Sequence, residues 1–214
     1  MKNIVKTGVA VLCCAALAGC LGGGGSGGSG NGAGGSGGGG GGSLSNYERE
    51  FNRVNGTQAT LTRLSGTASY TGQVSIRTDP NVQDSDTVEG DLNMDINFDA
   101  GANPISATAT NFSGVVNGQQ TDITGTLSTA NAQNQVNAIT ATNTGVGIVT
   151  GMSVGLEGTL SDPNGSLSGD ALMTLQGNFR GNNGAGVSGA AAVAIDPSSG
   201  PAVITGGTFY ADRN

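Results

Sequence analysis

From Val88 to Asp99 the chain alternates one for one. Val88, Gly90, Leu92, Met94, Ile96 and Phe98 interleave with Glu89, Asp91, Asn93, Asp95, Asn97 and Asp99. A period of two puts each set on its own face of an extended strand, whereas a helix would scatter both sets round its circumference. The same alternation runs through Tyr70-Gly72-Val74-Ile76, Thr121-Ile123-Gly125-Leu127, Met152-Val154-Leu156-Gly158-Leu160, Ala171-Met173-Leu175-Gly177-Phe179 and Val187-Gly189-Ala191-Val193-Ile195. Residues 104–117 alternate as well, but the phase slips between Ala109 and Phe112, which predicts a β-bulge. Residues 135–142 carry a weaker strand pattern, and 203–211 supply a last strand.

Turn chemistry separates these segments. Asp79-Pro80-Asn81, Gly101-Ala102-Asn103-Pro104, Asn117-Gly118, Asp162-Pro163-Asn164-Gly165, Asn182-Asn183-Gly184 and Asp196-Pro197-Ser198-Ser199-Gly200 all suit tight connections, and Asn117-Gly118 is the strongest two-residue hairpin signal. Strands joined so briefly are antiparallel neighbours. Gly72, Gly90, Gly125, Gly158, Gly177 and Gly189 fall in the apolar phase of their strands, as expected where a sheet bends tightly on itself. The expected fold is therefore all-β: an antiparallel barrel of eight or nine strands over residues 65–214, closed so that no edge is left bare. A two-sheet sandwich is the alternative. A membrane-spanning barrel would need an apolar outward band, where this chain carries rows of acids.

One short helix is predicted ahead of the strands. Ser45 and Glu48 stand at the spacing of a capping box, Tyr47, Phe51 and Val54 share one helical face, and Asn55-Gly56 is a stop signal, giving a helix over 46–54 within a lead-in of residues 44–64.

The amino-terminal residues have a different character. Lys2 and Lys6 precede an apolar run, Gly8 to Leu17, too short to span a bilayer, which is the layout of a secretory signal over residues 1–19. Leu17-Ala18-Gly19-Cys20 resembles the lipobox of bacterial lipoproteins, which implies lipidation of Cys20 and loss of Cys13 and Cys14 with the signal. Acyl chains on one residue give firm anchoring, because each buried CH₂ adds about 0.8 kcal/mol. In the enteric pattern an aspartate after the cysteine retains the protein in the inner membrane. Leu21 stands there instead, which favours the outer membrane. Gly22 to Ser43 is almost wholly glycine and serine, a flexible tether whose root-mean-square span is on the order of 25 Å.

Charge narrows the classes of partner. The chain has 8 Lys+Arg against 15 Asp+Glu, a net of −7, and both lysines lie in the signal, so a chain beginning at Cys20 carries −9. Such a surface disfavours nucleic acid. There is no histidine, so the Gly151-Met152-Ser153-Val154-Gly155 match to a serine-nucleophile elbow lacks its base. Asp91, Asp95 and Asp99 read as a solvated row rather than as paired glycosidase carboxylates. Asp84-Ser85-Asp86 and Asp162-Pro163-Asn164-Gly165-Ser166 lack the distal glutamate of a calcium loop and read as Asx turns. No catalytic residue, metal ligand or cofactor is expected. Haem ligation through histidine is excluded, while methionine and tyrosine ligation stay open.

Several stretches resemble transferrin-binding protein B-like surface lipoproteins. Gly66-Thr67-Ala68-Ser69-Tyr70-Thr71-Gly72 is similar to the "G-x-A-x-Y-x-G" opening of that family's barrel domain, and Gly90 to Phe98 to its next strand. Ser166-Leu167-Ser168-Gly169, Leu175-Gln176-Gly177-Asn178-Phe179-Arg180-Gly181 and Gly186-Val187-Ser188-Gly189 resemble the closing half, and Gly207-Thr208-Phe209-Tyr210-Ala211 the terminal strand. The resemblance covers residues 65–211 with the lipobox and tether, and it departs at Arg180, where the family has tyrosine. It implies an eight-stranded barrel on the cell surface whose relatives capture iron carriers, haem proteins or complement regulators. No transferrin-contacting residue can be matched by position. The expected function is a monomeric, outer-membrane, surface-exposed binding module for a protein or nutrient carrier, through loops 79–87, 129–135 and 142–150. The alternatives are a structural or adhesive envelope component without a discrete ligand, and a barrel holding a small apolar molecule inside.

Overall fold

The computed structural model describes residues 44–79, 86–163, 167–197 and 201–214. The signal, Cys20 and the tether, predicted over 1–43, lie outside them, as do Pro80 to Ser85 and the tips of two other Asp-Pro turns. The described chain opens with helix α1 (Asn46–Asn55), capped as its sequence requires. Ser45 Oγ accepts from the Glu48 amide at 3.1 Å, and Glu48 Oε2 accepts from the Ser45 amide at 2.7 Å.

Ten strands follow: β1 (Thr67–Arg77), β2 (Thr87–Asn97), β3 (Ile105–Val116), β4 (Gln119–Gly125), β5 (Leu127–Ser128), β6 (Asn137–Asn143), β7 (Ile148–Ser161), β8 (Gly169–Arg180), β9 (Gly186–Asp196) and β10 (Val203–Arg213). Every pairing is antiparallel, and β2 pairs with both β1 and β3, so the sheet closes into a barrel. It has eight positions rather than ten because β4, β5 and β6 share one. In succession they pair with the same edge of β7, at Ser161, at Glu157 and along Val154 to Ile148. The sandwich alternative is thereby excluded.

Alternation sorts the side chains as expected. Val88, Leu92, Met94 and Ile96 of β2 point inward and are buried, while Asp91, Asn93 and Asp95 lie on the outer face. Inward residues from every strand but β6 form one continuous core, with Tyr70, Phe179, Phe209, Leu92 and Leu175 among its most deeply buried members and Ile139 of β6 packed against it. Burying each large apolar side chain contributes roughly 1.5–3 kcal/mol, which is the main source of cohesion in a chain with no cysteine after Cys20.

The predicted bulge is present in β3. Register shifts between Glu89↔Ser113 and Asp91↔Thr110, and Asn111 takes a left-handed φ of 54°. That extra residue turns Phe112 inward over Gly90, where a Cβ would lie 2.5 Å from the ring. Glycine at 90 and the bulge at 111 are thus one device. The hairpin at Asn117-Gly118 also forms as predicted, with φ of 53° and 76°.

The two rims are built differently. At the upper rim, residues 57–66 cross the barrel mouth as a strap. The Thr60 amide donates to Phe179 O at 3.0 Å, the Ile148 amide to Leu61 O at 2.9 Å, and Leu64 is buried against the aromatic group Tyr70, Phe98 and Phe179. Tyr70 donates to Gly184 O at 2.8 Å. The carboxyl ends of β1, β7 and β9, each running in sequence into an Asp-Pro pair, lie at the lower rim. Helix α1 packs on the outer wall, where Tyr47 and Val54 cover Tyr210, and the hydroxyls of Tyr47 and Thr208 bond at 2.9 Å.

Candidate functional site

Inward side chains of the described residues pack the barrel interior into one core. Near the lower rim it keeps a cavity of about 30 Å³, lined by Val88, Phe112, Ile123, Leu160, Met173 and Val193 among others. That volume suits a water molecule or two, and an apolar wall gives water no partners. A drug-sized ligand needs roughly ten times as much. Among the described residues, that cavity leaves no room for the internal apolar ligand that the sequence left open.

Strand pairing is interrupted along the seam from β3 to β6. Between β5 and β6 the chain leaves the barrel wall over residues 129–136, where Gln135 covers Gly155 from outside and Val136 O accepts from the Gly155 amide. Backbone pairing with β3 ends at Thr129, whose amide donates to Ala107 O at 3.0 Å, and side chains continue it. Thr129 Oγ1 accepts from the Ala107 amide at 3.1 Å. The Asn137 amide group makes two hydrogen bonds to Ile105, accepting from its N–H at 3.0 Å and donating to its C=O at 2.7 Å. A carboxamide has the same donor and acceptor arrangement as a peptide group, so Asn137 stands in for a missing backbone pair.

Beyond Asn137, β6 separates from β3 and pairs with β7 alone. The space between it and the β2–β3 turn is a pocket of about 530 Å³ lined by Arg63, Leu64, Phe98, Asp99, Ile139 and Thr150 with three small neighbours. Arg63 is exposed. Asp99 is engaged, its carboxylate accepting from the Gly66 amide at 2.7 Å. Thr150 Oγ1 is buried without a partner among the described residues. The pocket thus combines a cation, an aromatic edge and an apolar strand face, a set suited to a side chain or backbone segment of a partner. It holds no nucleophile beside a base.

A second groove of about 450 Å³ runs beside α1, with Tyr47, Glu48, Ser75, Arg77, Glu89 and Thr208 on its walls. Burial raises the Glu89 carboxyl above its ordinary pKa, and the neighbouring Glu48 raises it further. Burial likewise pushes the Tyr47 phenol well above the usual range, partly offset by its bond to Thr208. Tyr47 holds the helix to the wall through Thr208 and Tyr210, while Glu48 and Glu89 repel across the groove. Among the described residues no three carboxylate, cysteine or histidine groups gather as metal ligands.

The residues singled out from the sequence fall in three places. Cys20 lies outside the described residues. Loop 79–87 lies largely outside them too, between the paired ends Arg77 and Thr87. Loops 129–135 and 142–150 both lie on the seam, at opposite ends of β6. The second is shorter than expected: Asn143 and Ile148 already pair, which leaves a turn of residues 144–147. Ser153 lies mid-strand between Ala138 and Gln176, so the strand-to-helix turn of a nucleophile elbow is absent there. Arg63, Thr150 and the free edge of β6 carried no local signal, because only the closed barrel brings them together. No known protein family and no curated protein matches the chain.

Proposed function

We propose that the protein is a lipid-anchored outer-membrane lipoprotein whose barrel serves as a surface binding module for a protein or nutrient carrier. The seam pocket of about 530 Å³ beside β6 carries this reading, since the cavity inside the barrel among the described residues, at about 30 Å³, suits only a water or two. The signal pattern, Cys20 and the Gly22 to Ser43 tether support the anchor. The eight-position barrel agrees with the architecture that the resemblance to transferrin-binding protein B-like lipoproteins implies, and we infer membership of that group on those grounds. An iron or haem carrier would be recognised as a protein, since the chain offers no histidine to a haem iron.

Two measurements test this. In cells making the full chain, Cys20→Ala should abolish acyl labelling and release the protein from the membrane fraction; an acylated, membrane-bound Cys20→Ala protein would overturn the anchor. External protease should remove the barrel from intact cells, and a carrier protein should be retained on them from spent medium or serum. Protection from protease would place the domain inside the envelope and favour the structural reading instead.

A further inference from the structure

We propose that two copies of this chain associate through the free edge of β6, antiparallel and about a two-fold axis near Thr140. The inference goes beyond the binding role above and depends on neither the anchor nor a ligand.

Strand polarity comes first. In an antiparallel pair, residues alternately exchange both backbone bonds with the partner strand and turn them away from it. The Gly155 amide donates to Val136 O, and the Thr144 amide to Gly147 O, so even-numbered residues of this stretch bond towards β7. The register Asn137↔Val154 to Asn143↔Ile148 runs unbroken between those two points. Ile148, opposite the odd residue Asn143, sends its amide away from β6, to Leu61. The N–H and C=O groups of Ile139, Ala141 and Asn143 therefore face the open edge, and Thr140 to Asn143 are exposed.

Natural edge strands are protected by lysine, proline, inward charges or bulges. Strand β6, Asn-Ala-Ile-Thr-Ala-Thr-Asn, has none of these. Charge says what can approach it. Asp122 and Glu157 bracket a stretch with no charged residue at all, within a chain of net −7. Two like-charged copies meet there without bringing strand charges together, and Arg63 and Asp99 across the pocket are the charges that face the edge. The strand carries an asparagine at each end, Asn137 and Asn143, three residues either side of Thr140. Antiparallel pairing there sets Asn137 against Asn143 of the partner copy, Ala138 against Thr142, Ile139 against Ala141, and Thr140 against itself. Ile139 and Ala141 then share one face and meet their counterparts across the axis. Of the four large apolar side chains exposed among the described residues, Val136 (44%) and Val146 (79%) flank this strand. A two-fold pairing uses up both edges and closes, where a head-to-tail pairing would propagate.

Amide exchange on the intact full chain reads the interface without any substitution. On raising protein concentration, the amides of Ile139 and Ala141 should slow while those of Thr140 and Thr142, already bonded to β7, stay unchanged. Exchange independent of concentration would overturn the proposal. The register is read by single thiols in the full chain with Cys13, Cys14 and Cys20 changed to serine. Under oxidation Thr140→Cys should give a disulfide dimer while Thr142→Cys, displaced along the strand from its own copy, stays monomeric. Equal crosslinking at both positions, or at neither, would sink it. Ala141→Pro removes a donor facing the open edge and leaves every β7 bond in place. It should halve the sedimenting mass with the β circular dichroism retained, and a folded variant still of dimer mass would refute the edge.

Discussion

Strands β8 and β9 keep one register over eleven consecutive pairs, from Asp170↔Asp196 to Arg180↔Gly186, whereas β4 and β5 together give β7 three. In the regular wall the backbone carries the pairing, and side chains only decide which face is wet. Along the seam the division of labour reverses. Thr129 and Asn137 supply bonds that peptide groups supply elsewhere, Gln135 donates to Glu157 Oε1 at 2.6 Å, and the residues doing so are polar but almost all uncharged. A barrel can therefore close without a full complement of continuous strands, provided side chains bridge the interruption. The cost is a local opening and an unpaired edge.

Substitutions can break this contrast or sharpen it. Phe179, fully buried at the upper rim of the wall, should show the largest effect: Phe179→Ala is expected to cost about 3–5 kcal/mol in urea denaturation. Next, the two sides should differ in their tolerance of a methyl group. At Gly189 in the wall a Cβ would lie 1.9 Å from the backbone oxygen of Gln176, which cannot move without disturbing the ladder. At Gly90 the obstacle is the Phe112 side chain. Gly189→Ala should cost about 3 kcal/mol and Gly90→Ala nearer 1 kcal/mol, in the range for overpacking. Equal losses would mean that the bulge is as rigid as the wall. Asn137→Ala removes both bonds to Ile105 and should cost about 1–3 kcal/mol, with faster amide exchange at Ile105 than anywhere in β8. Smallest of all, Arg53→Ala breaks ion pairs to Glu50 and Asp212 whose partners are about half exposed, and the melting curve should shift by less than about 1 kcal/mol.

Alkaline titration adds a wall-side test. Burial raises the Tyr70 phenol to about 12 from 10.0, with Arg213 opposing slightly. A raised folded-state pKa means that the stabilisation is whole below pH 10 and is withdrawn as pH climbs towards 12. Tyr70→Phe should flatten that part of the stability profile.

Much of the wall was legible in the sequence because its signals are local. Alternation names the faces, Asn117-Gly118 names a hairpin, Ser45 and Glu48 name a helix start, and the phase slip near Asn111 locates the bulge. The seam was not legible in the same way. Nothing around Asn137 shows that its amide will replace a peptide bond pair, because Ile105 becomes its neighbour only when the barrel closes. For the same reason the pattern permits eight or nine strands but does not show that β4, β5 and β6 share one position. Residues 57–66 have no periodicity at all, since a strap crossing a rim alternates between no two faces. The candidate site follows suit: the flanking loops 129–135 and 142–150 stood out by composition, and the edge between them did not.

The route of the chain from Leu44 to Gly66 has a mechanical consequence. It starts on the outer wall beside Ser75 and Thr208, ascends as a helix held by Tyr47 and Val54, and crosses the upper rim before Thr67 joins the first strand. A pull applied at the amino-terminal side would first unseat Tyr47, then unwind the helix, then peel the strap from Phe179 and Ile148. Only after those steps would tension reach a load-bearing strand. The lead-in thus acts as a strain relief, like the clamp that keeps a tug on a cable from reaching the solder joint.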